Sequence, residues 1–154
     1  MHLQLRFTIP WNSDLSKNKK FGSGRKKFLN PKYRDAKTGV FCALLSAMNK
    51  IGITRLPYTK TLIKIYCAKP NNRSDCINVS ESICDAIKGK HGIGPDDNLF
   101  ALEVDYIIDK TDPHIDIEIW STTLNDMSIC PECLNLKDPN QKCNCGCKRN
   151  RVIG

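Results

Sequence analysis

Residues 114–120, His-Ile-Asp-Ile-Glu-Ile-Trp, alternate apolar and polar side chains without interruption. Successive side chains of an extended strand leave on opposite faces, so this run can bury one row against a core and wet the other. A chain holding such a strand must build a sheet around it, and three further runs share the period. Residues 3–9, Leu-Gln-Leu-Arg-Phe-Thr-Ile, alternate until Pro10 ends them, and residues 60–67 alternate as Lys-Thr-Leu-Ile-Lys-Ile-Tyr-Cys. Between residues 99 and 109, Leu102, Val104 and Tyr106 alternate against Glu103 and Asp105. This run and 114–120 are predicted to be adjacent antiparallel strands linked through Thr111-Asp112-Pro113.

Two segments carry the helical period instead. In residues 31–50, Tyr33, Val40, Phe41, Leu44, Leu45 and Met48 recur at helical spacing, Pro31 suits a first turn, Gly39 weakens the middle and Gly52 is a stop. Ser74 or Asp75 can cap a second helix through Ile77, Val79, Ile83, Cys84, Ala86 and Ile87, ending near Gly89. Strands and helices in this order predict an α+β fold, a central mixed sheet with helices packed on one side. No apolar run approaches the ~20 residues that cross a bilayer, and the first residues lack the apolar core of a signal peptide. The expectation is a cytoplasmic protein with no membrane partner, whose cysteines are kept reduced.

Charge divides the chain. Its net charge is +8, yet residues 71–120 hold eleven acids against Arg73, Lys88, Lys90 and Lys110, whereas residues 1–60 hold thirteen Lys/Arg and only Asp14 and Asp35. A basic flank suits a polyanion, because cationic surfaces bind phosphate backbones through counterion release. The flank is densest at Lys17, Lys19, Lys20, Arg25, Lys26 and Lys27, interleaved with Phe21, Gly22, Gly24 and Phe28. Residues 12–30 as a whole have a composition that cannot build a core and read as a mobile basic loop, the phenylalanines either stacking on exposed bases or anchoring the loop. Carboxylates gathered in an otherwise basic chain raise one another's pKa unless a cation compensates, and a divalent metal does so most simply. The stretch from Asn72 to Asp97 supplies them: Asp75 at a helix start, Glu81 and Asp85 along that helix, and Asp96-Asp97 ahead of a strand, positions predicted to meet at one point.

Beyond Trp120 the composition changes. Cys130-Pro-Glu-Cys133 is followed by Cys143-Asn-Cys145-Gly-Cys147, more thiolates than a tetrahedral structural Zn²⁺ needs. So polar a segment has little else to fold around, since metal binding would supply its folding free energy. The last three cysteines leave two overlapping ligand pairs, Cys143 with Cys145 or Cys145 with Cys147. Residues 1–122 are thus read as one domain and 127–150 as a cysteine-rich zinc-binding tail. Cys42, Cys67, Cys76 and Cys84 are read as small buried hydrophobes.

The order of features resembles the RusA family of Holliday junction resolvases, small bacterial and phage endonucleases. The match runs over roughly residues 3–120: Ile9-Pro10-Trp11 before a basic loop, Tyr33-Arg34-Asp35 opening a helix, Arg73-Ser-Asp75-Cys-Ile-Asn78, Cys84-Asp85-Ala86-Ile87, and Gly92-Ile-Gly-Pro-Asp96-Asp97. The resemblance implies a Mg²⁺-dependent endonuclease acting on branched DNA as a homodimer, in a bacterial or phage-infected cell. It implies Asp75 as the first metal-binding aspartate, Asn78 as the following asparagine, Asp85 as the helix aspartate and Asp97 as the catalytic member of the later pair. Arg73 would lie closest to the cut. The chain departs from the family at two positions, where Ile77 replaces the second aspartate and Glu81 the helix lysine. Glu81 is one turn beyond Ile77 on the same face, so its longer side chain is predicted to restore a carboxylate near Asp75 and to join Asp75 and Asp97 as a metal ligand. The alternative is a catalytically inactive branched-DNA-binding relative, and a structural zinc-tail protein is a third reading.

Overall fold

In a computed structural model, residues 1–22, 28–88, 94–122, 128–129 and 136–137 are described. Strand β1 (His2–Pro10) leads through two short 3-10 turns, Ser13–Leu15 and Lys17–Lys19, to helix α1 (Pro31–Ile51). Strand β2 (Thr61–Lys69), helix α2 (Cys76–Ile87), a 3-10 turn at Asp97–Leu99, strand β3 (Phe100–Ile108) and strand β4 (His114–Ser121) follow. Two-residue strands β5 (Ser128–Ile129) and β6 (Leu136–Lys137) pair with each other antiparallel.

Local chemistry sets both helix ends. The Asn30 side chain accepts from the Lys32 amide ahead of Pro31, and Gly52 closes α1 at φ 75°, the left-handed conformation that a Cβ disfavours. For α2 the cap is Asp75, whose side chain accepts from the Asn78 amide.

The four long strands form a mixed sheet in the order β1-β4-β2-β3. The class expected from the sequence holds, but β3 and β4 are not neighbours. β2 lies between them, parallel to β3 and antiparallel to β4. Burial explains the insertion. The inward row of β2, Ile63, Ile65 and Cys67, is sealed from solvent, which demands a strand on each side, whereas β3 carries Glu103 and Asp105 and tolerates an edge.

The core lies on one face of the sheet. Leu5, Phe7 and Ile9 from β1, Ile115, Ile117 and Ile119 from β4, and the inward row of β2 pack against Val40, Leu44 and Met48 of α1 and Val79, Ile83, Ala86 and Ile87 of α2. The other face is polar. Asp116 accepts from Thr8, Glu118 lies 3.6 Å from Arg6 and accepts from the Trp120 indole, and Lys64 stacks on the Trp120 ring.

Three expectations need correction. Leu15, inside the segment read as a core-free basic loop, is buried in the core, and Lys17–Lys19 is an ordered turn. Cys42 is exposed, unlike Cys67 and Cys76. Ile77, counted among the apolar positions of α2, is 58 % exposed. Among the described residues no helix is long and apolar enough to cross a membrane.

Candidate functional site

The chain leaves β2 at Lys69 and must turn into α2 within six residues. Asn71 makes that turn, its Oδ1 accepting from the amides of Arg73 (3.0 Å) and Ser74 (3.1 Å) and from the Ser74 hydroxyl (3.1 Å). Such a side-chain turn fixes the backbone without a regular element. Lys69 is itself buried in line with the inward row of β2, its Nζ donating to the Ser74 carbonyl at 3.1 Å and lying 4.0 Å from the Tyr106 ring centre. The segment before Asp75 is thereby tied to the end of the sheet.

Asp75 stands exposed at the start of α2. Its Oδ1 accepts from the Asn78 amide at 3.1 Å and its Oδ2 from the Asn78 side-chain amide, so Asn78 orients both oxygens while lone pairs remain open to solvent. Beneath it, Tyr33 Oη lies 3.1 Å from Ser82 Oγ, and Ser82 donates to the Asn78 carbonyl at 3.2 Å. This buried contact holds α2 against α1.

Further along α2, the acids have cationic partners. Lys17 Nζ lies 3.0 Å from Glu81 Oε2, and Lys88 Nζ lies 3.5 Å from Asp85 Oδ1. The hydrogen bond that Lys17 donates to Glu81 holds its ammonium above the usual pKa against desolvation, and the Asp85 charge adds to the rise. Burial pushes the Cys84 thiol, between these two acids, up to about 12, with Asp85 and Glu81 contributing. Cys67 is likewise pushed up to about 12, chiefly by burial, so both stay protonated and unreactive near neutrality.

The predicted site residues therefore fall into separate places. An α-helix rises about 1.5 Å per residue, which puts Glu81 roughly 9 Å and Asp85 roughly 15 Å along the axis from Asp75. Asp96 is exposed, its carbonyl accepting from the Leu99 amide, and Asp97 opens the turn into β3, its side chain lying outside those described. Because β2 and β3 are parallel and aligned from Thr61↔Phe100 to Lys69↔Ile108, the entry to β3 and the exit from β2 are at opposite ends of the sheet. The length of one nine-residue strand, about 26 Å, separates them. Among the described residues no group of three or more His, Cys, Asp or Glu is placed to hold a metal ion. The donor chemistry at Asp75 is right for a hard cation, oxygen-only and exposed.

A cavity of about 580 Å³ opens at the turn between β2 and α2, lined by Asn71, Asn72, Arg73, Ile108 and Lys110. Lys110 is held at its rim by a second side-chain turn, in which Asp109 Oδ1 accepts from the amides of Thr111 and Asp112 and from the Thr111 hydroxyl. Those bonds, the Thr111 hydroxyl first, keep the Asp109 carboxyl below the usual range. Among the described residues no carboxylate is in ion-pair contact with Arg73 or Lys110. Lys110 escapes sequence reasoning because only the parallel β2–β3 pairing sets it beside Arg73. Lys69 was more accessible, since it is in phase with Ile63, Ile65 and Cys67.

Of the basic flank, Lys17 is paired with Glu81, Lys19 lies 3.6 Å from Asp14, and Lys20 stacks on Phe21. Phe21 and Phe28 are half-exposed. Arg25, Lys26 and Lys27 lie outside the described residues, as do Cys130, Cys133, Cys143, Cys145 and Cys147. No known protein-family model matches the chain, and a search of curated proteins finds no match.

Proposed function

We propose that this chain is a structure-selective endonuclease of the RusA type, acting on Holliday junctions or related branched DNA with Mg²⁺ as its cofactor. The observation that carries the reading is the Asp75–Asn78 arrangement at the head of α2, an exposed carboxylate with both oxygens oriented, on the segment whose preceding turn, Asn71 to Arg73, lines a cavity with Lys110. Arg73 and Lys110 would take backbone phosphates next to Asp75, and Lys17, Lys19, Lys20, Arg25, Lys26 and Lys27 would extend the contact along the duplex arms. Among the described residues no group of three or more His, Cys, Asp or Glu stands with Asp75 to complete a metal site. A homodimer fits the task, since two opposed strands are cut symmetrically by sites related by a two-fold axis. The cysteine-rich tail would bind structural Zn²⁺, a reading that rests on cysteine spacing alone.

A binding-only relative is the second reading, favoured by the Lys17–Glu81 pair, which directs Glu81 away from a metal-binding role, and by Ile77. Incubation with a synthetic four-way junction separates the two. Paired nicks that require Mg²⁺ and vanish with EDTA support the endonuclease, retention without nicks supports the binder, and no salt-sensitive DNA binding refutes both.

A further inference from the structure

We propose that the cavity between the Asn71 turn and the Asp109 turn is a site for a phosphomonoester, the terminal phosphate of a nucleotide or of a strand end, held by Arg73 and Lys110. Assigning that phosphate to a DNA strand end rests on the nuclease reading, while the site itself stands apart from it.

Two side-chain turns build the cavity, and one residue joins them. Lys69, the last residue of β2, is buried. Its Nζ donates to the carbonyls of Asn72 at 3.4 Å and Ser74 at 3.1 Å, and its own carbonyl accepts from the Asp109 amide at 2.9 Å. On one side Asn71 Oδ1 accepts from the amides of Arg73 and Ser74 and from the Ser74 hydroxyl. On the other, Asp109 Oδ1 accepts from the amides of Thr111 and Asp112 and from the Thr111 hydroxyl. The backbones that carry Arg73 and Lys110 are therefore set before a ligand arrives, which lowers the ordering cost of binding. Both cationic side chains remain exposed.

The lining is rich in donors and holds no carboxylate. Arg73 brings a guanidinium, Lys110 an ammonium, Asn71 and Asn72 carboxamides, and Ile108 an apolar wall. The two acids nearest in sequence are engaged elsewhere, Asp109 in its own turn and Asp75 with Asn78. Beneath the Asn71 turn the Lys69 ammonium meets only neutral groups among the described residues, two carbonyls and the Tyr106 ring, so its charge adds to the field. Cations left without a counter-charge favour an anion that matches them. A phosphodiester within a strand carries one negative charge, whereas a phosphomonoester carries about −1.5 to −2 near neutrality and presents three strong acceptor oxygens. A terminal phosphate also has a free end that can enter a recess, which a continuous strand only spans. At about 580 Å³ the cavity is in the range that takes a whole small ligand, which leaves Ile108 to contact the sugar or base attached to the phosphate.

Fluorescence anisotropy on the full-length chain in EDTA tests this. The probes are short single-stranded oligonucleotides, labelled internally, with a 5′-phosphate, a 3′-phosphate or hydroxyls at both ends. A phosphorylated strand should bind about ten-fold more tightly than the strand with none, and the preference should vanish in Arg73→Gln/Lys110→Gln, while weaker salt-sensitive binding common to all three strands persists. Thermal unfolding checks that the double variant is folded. Independently of any variant, deoxyadenosine monophosphate should displace the phosphorylated strand from the natural chain and deoxyadenosine should not. A mononucleotide that binds as tightly as the strand supports the site and assigns it to free nucleotides, and a tighter strand assigns it to DNA ends. Equal affinity for all three strands, a preference that survives the double substitution, or displacement by deoxyadenosine as effective as by its monophosphate overturns the proposal. A phosphate preference in a chain that never nicks a four-way junction with Mg²⁺ refutes the nuclease reading and leaves the site standing.

Discussion

Replacing Ile77 by aspartate probes the candidate centre at the position where the chain departs most plainly from the family it resembles. Ile77 lies in the first turn of α2, two residues after Asp75, and is 58 % exposed. Complete burial of such a side chain is worth about 1.5–3 kcal/mol, so its remaining contacts contribute roughly 1 kcal/mol. An acidic residue in a first helical turn recovers about 0.3–1 kcal/mol from the unpaired amides there. The net change in stability should stay within about 1 kcal/mol, a shift in Tm of no more than about 4 °C for a domain of this size. Function should respond far more. The new carboxylate stands on the turn that Asp75 caps, so Mn²⁺ should bind about ten-fold more tightly, equivalent to about 1.4 kcal/mol. Isothermal titration calorimetry reads the affinity and thermal unfolding confirms the fold. Unchanged affinity in a folded Ile77→Asp protein would refute the reasoning. So would tightening that persists when Asp75→Asn is added, because the cation would then be held somewhere else.

Asp75→Ala removes the acceptor of the Asn78 amide and should lower stability by about 1 kcal/mol in urea titration, whereas Asp75→Asn, an equally good cap, should keep it; both should lose Mn²⁺ binding, and equal destabilisation would deny the capping role. His114 is raised above 6.5, first by its hydrogen bond to the Asp112 carbonyl and then by the carboxylates of Asp116 and Asp112. Its contribution is therefore fully present below pH 6.5 and lost as pH rises through the folded pKa, so His114→Gln should flatten the urea midpoint over that window, and a profile as steep as the parent's would contradict the assignment. Elemental analysis of the purified chain should find about one zinc per chain, lost on Cys130→Ser/Cys133→Ser substitution; zinc-free protein with an unaltered tail would remove the metal from the reading.

Much of the fold was legible because it is local. Alternation placed β1, β2 and β4, the 3.6-residue period placed α1 and α2, and Pro31, Gly52 and the pair Ser74-Asp75 marked their ends through backbone chemistry that acts over four residues or fewer. The expected β3–β4 hairpin failed because Asp109–Pro113 is long enough to cross over the end of a third strand, and nothing in those residues records that β2 is waiting there. Leu15 misled for a related reason. One leucine among lysines looks like loop, and only the closing of α1 and α2 over it makes that position interior.

The candidate site divides along the same line. The sequence by itself narrowed the cap of α2 to Ser74 or Asp75, since a capping side chain needs only the next helical turn, and the structure chose Asp75, which accepts from the Asn78 amide. It also determined that Ile77, Glu81 and Asp85 would share a face of α2. Only the tertiary structure decided that Lys17 would reach Glu81, that Lys110 would stand beside Arg73, and that Asp75 and Asp97 would lie at opposite ends of β2 and β3. Each of these depends on strand order and direction, which are chosen by how completely each strand's apolar row must be covered, a property of the whole sheet that no short stretch of residues contains.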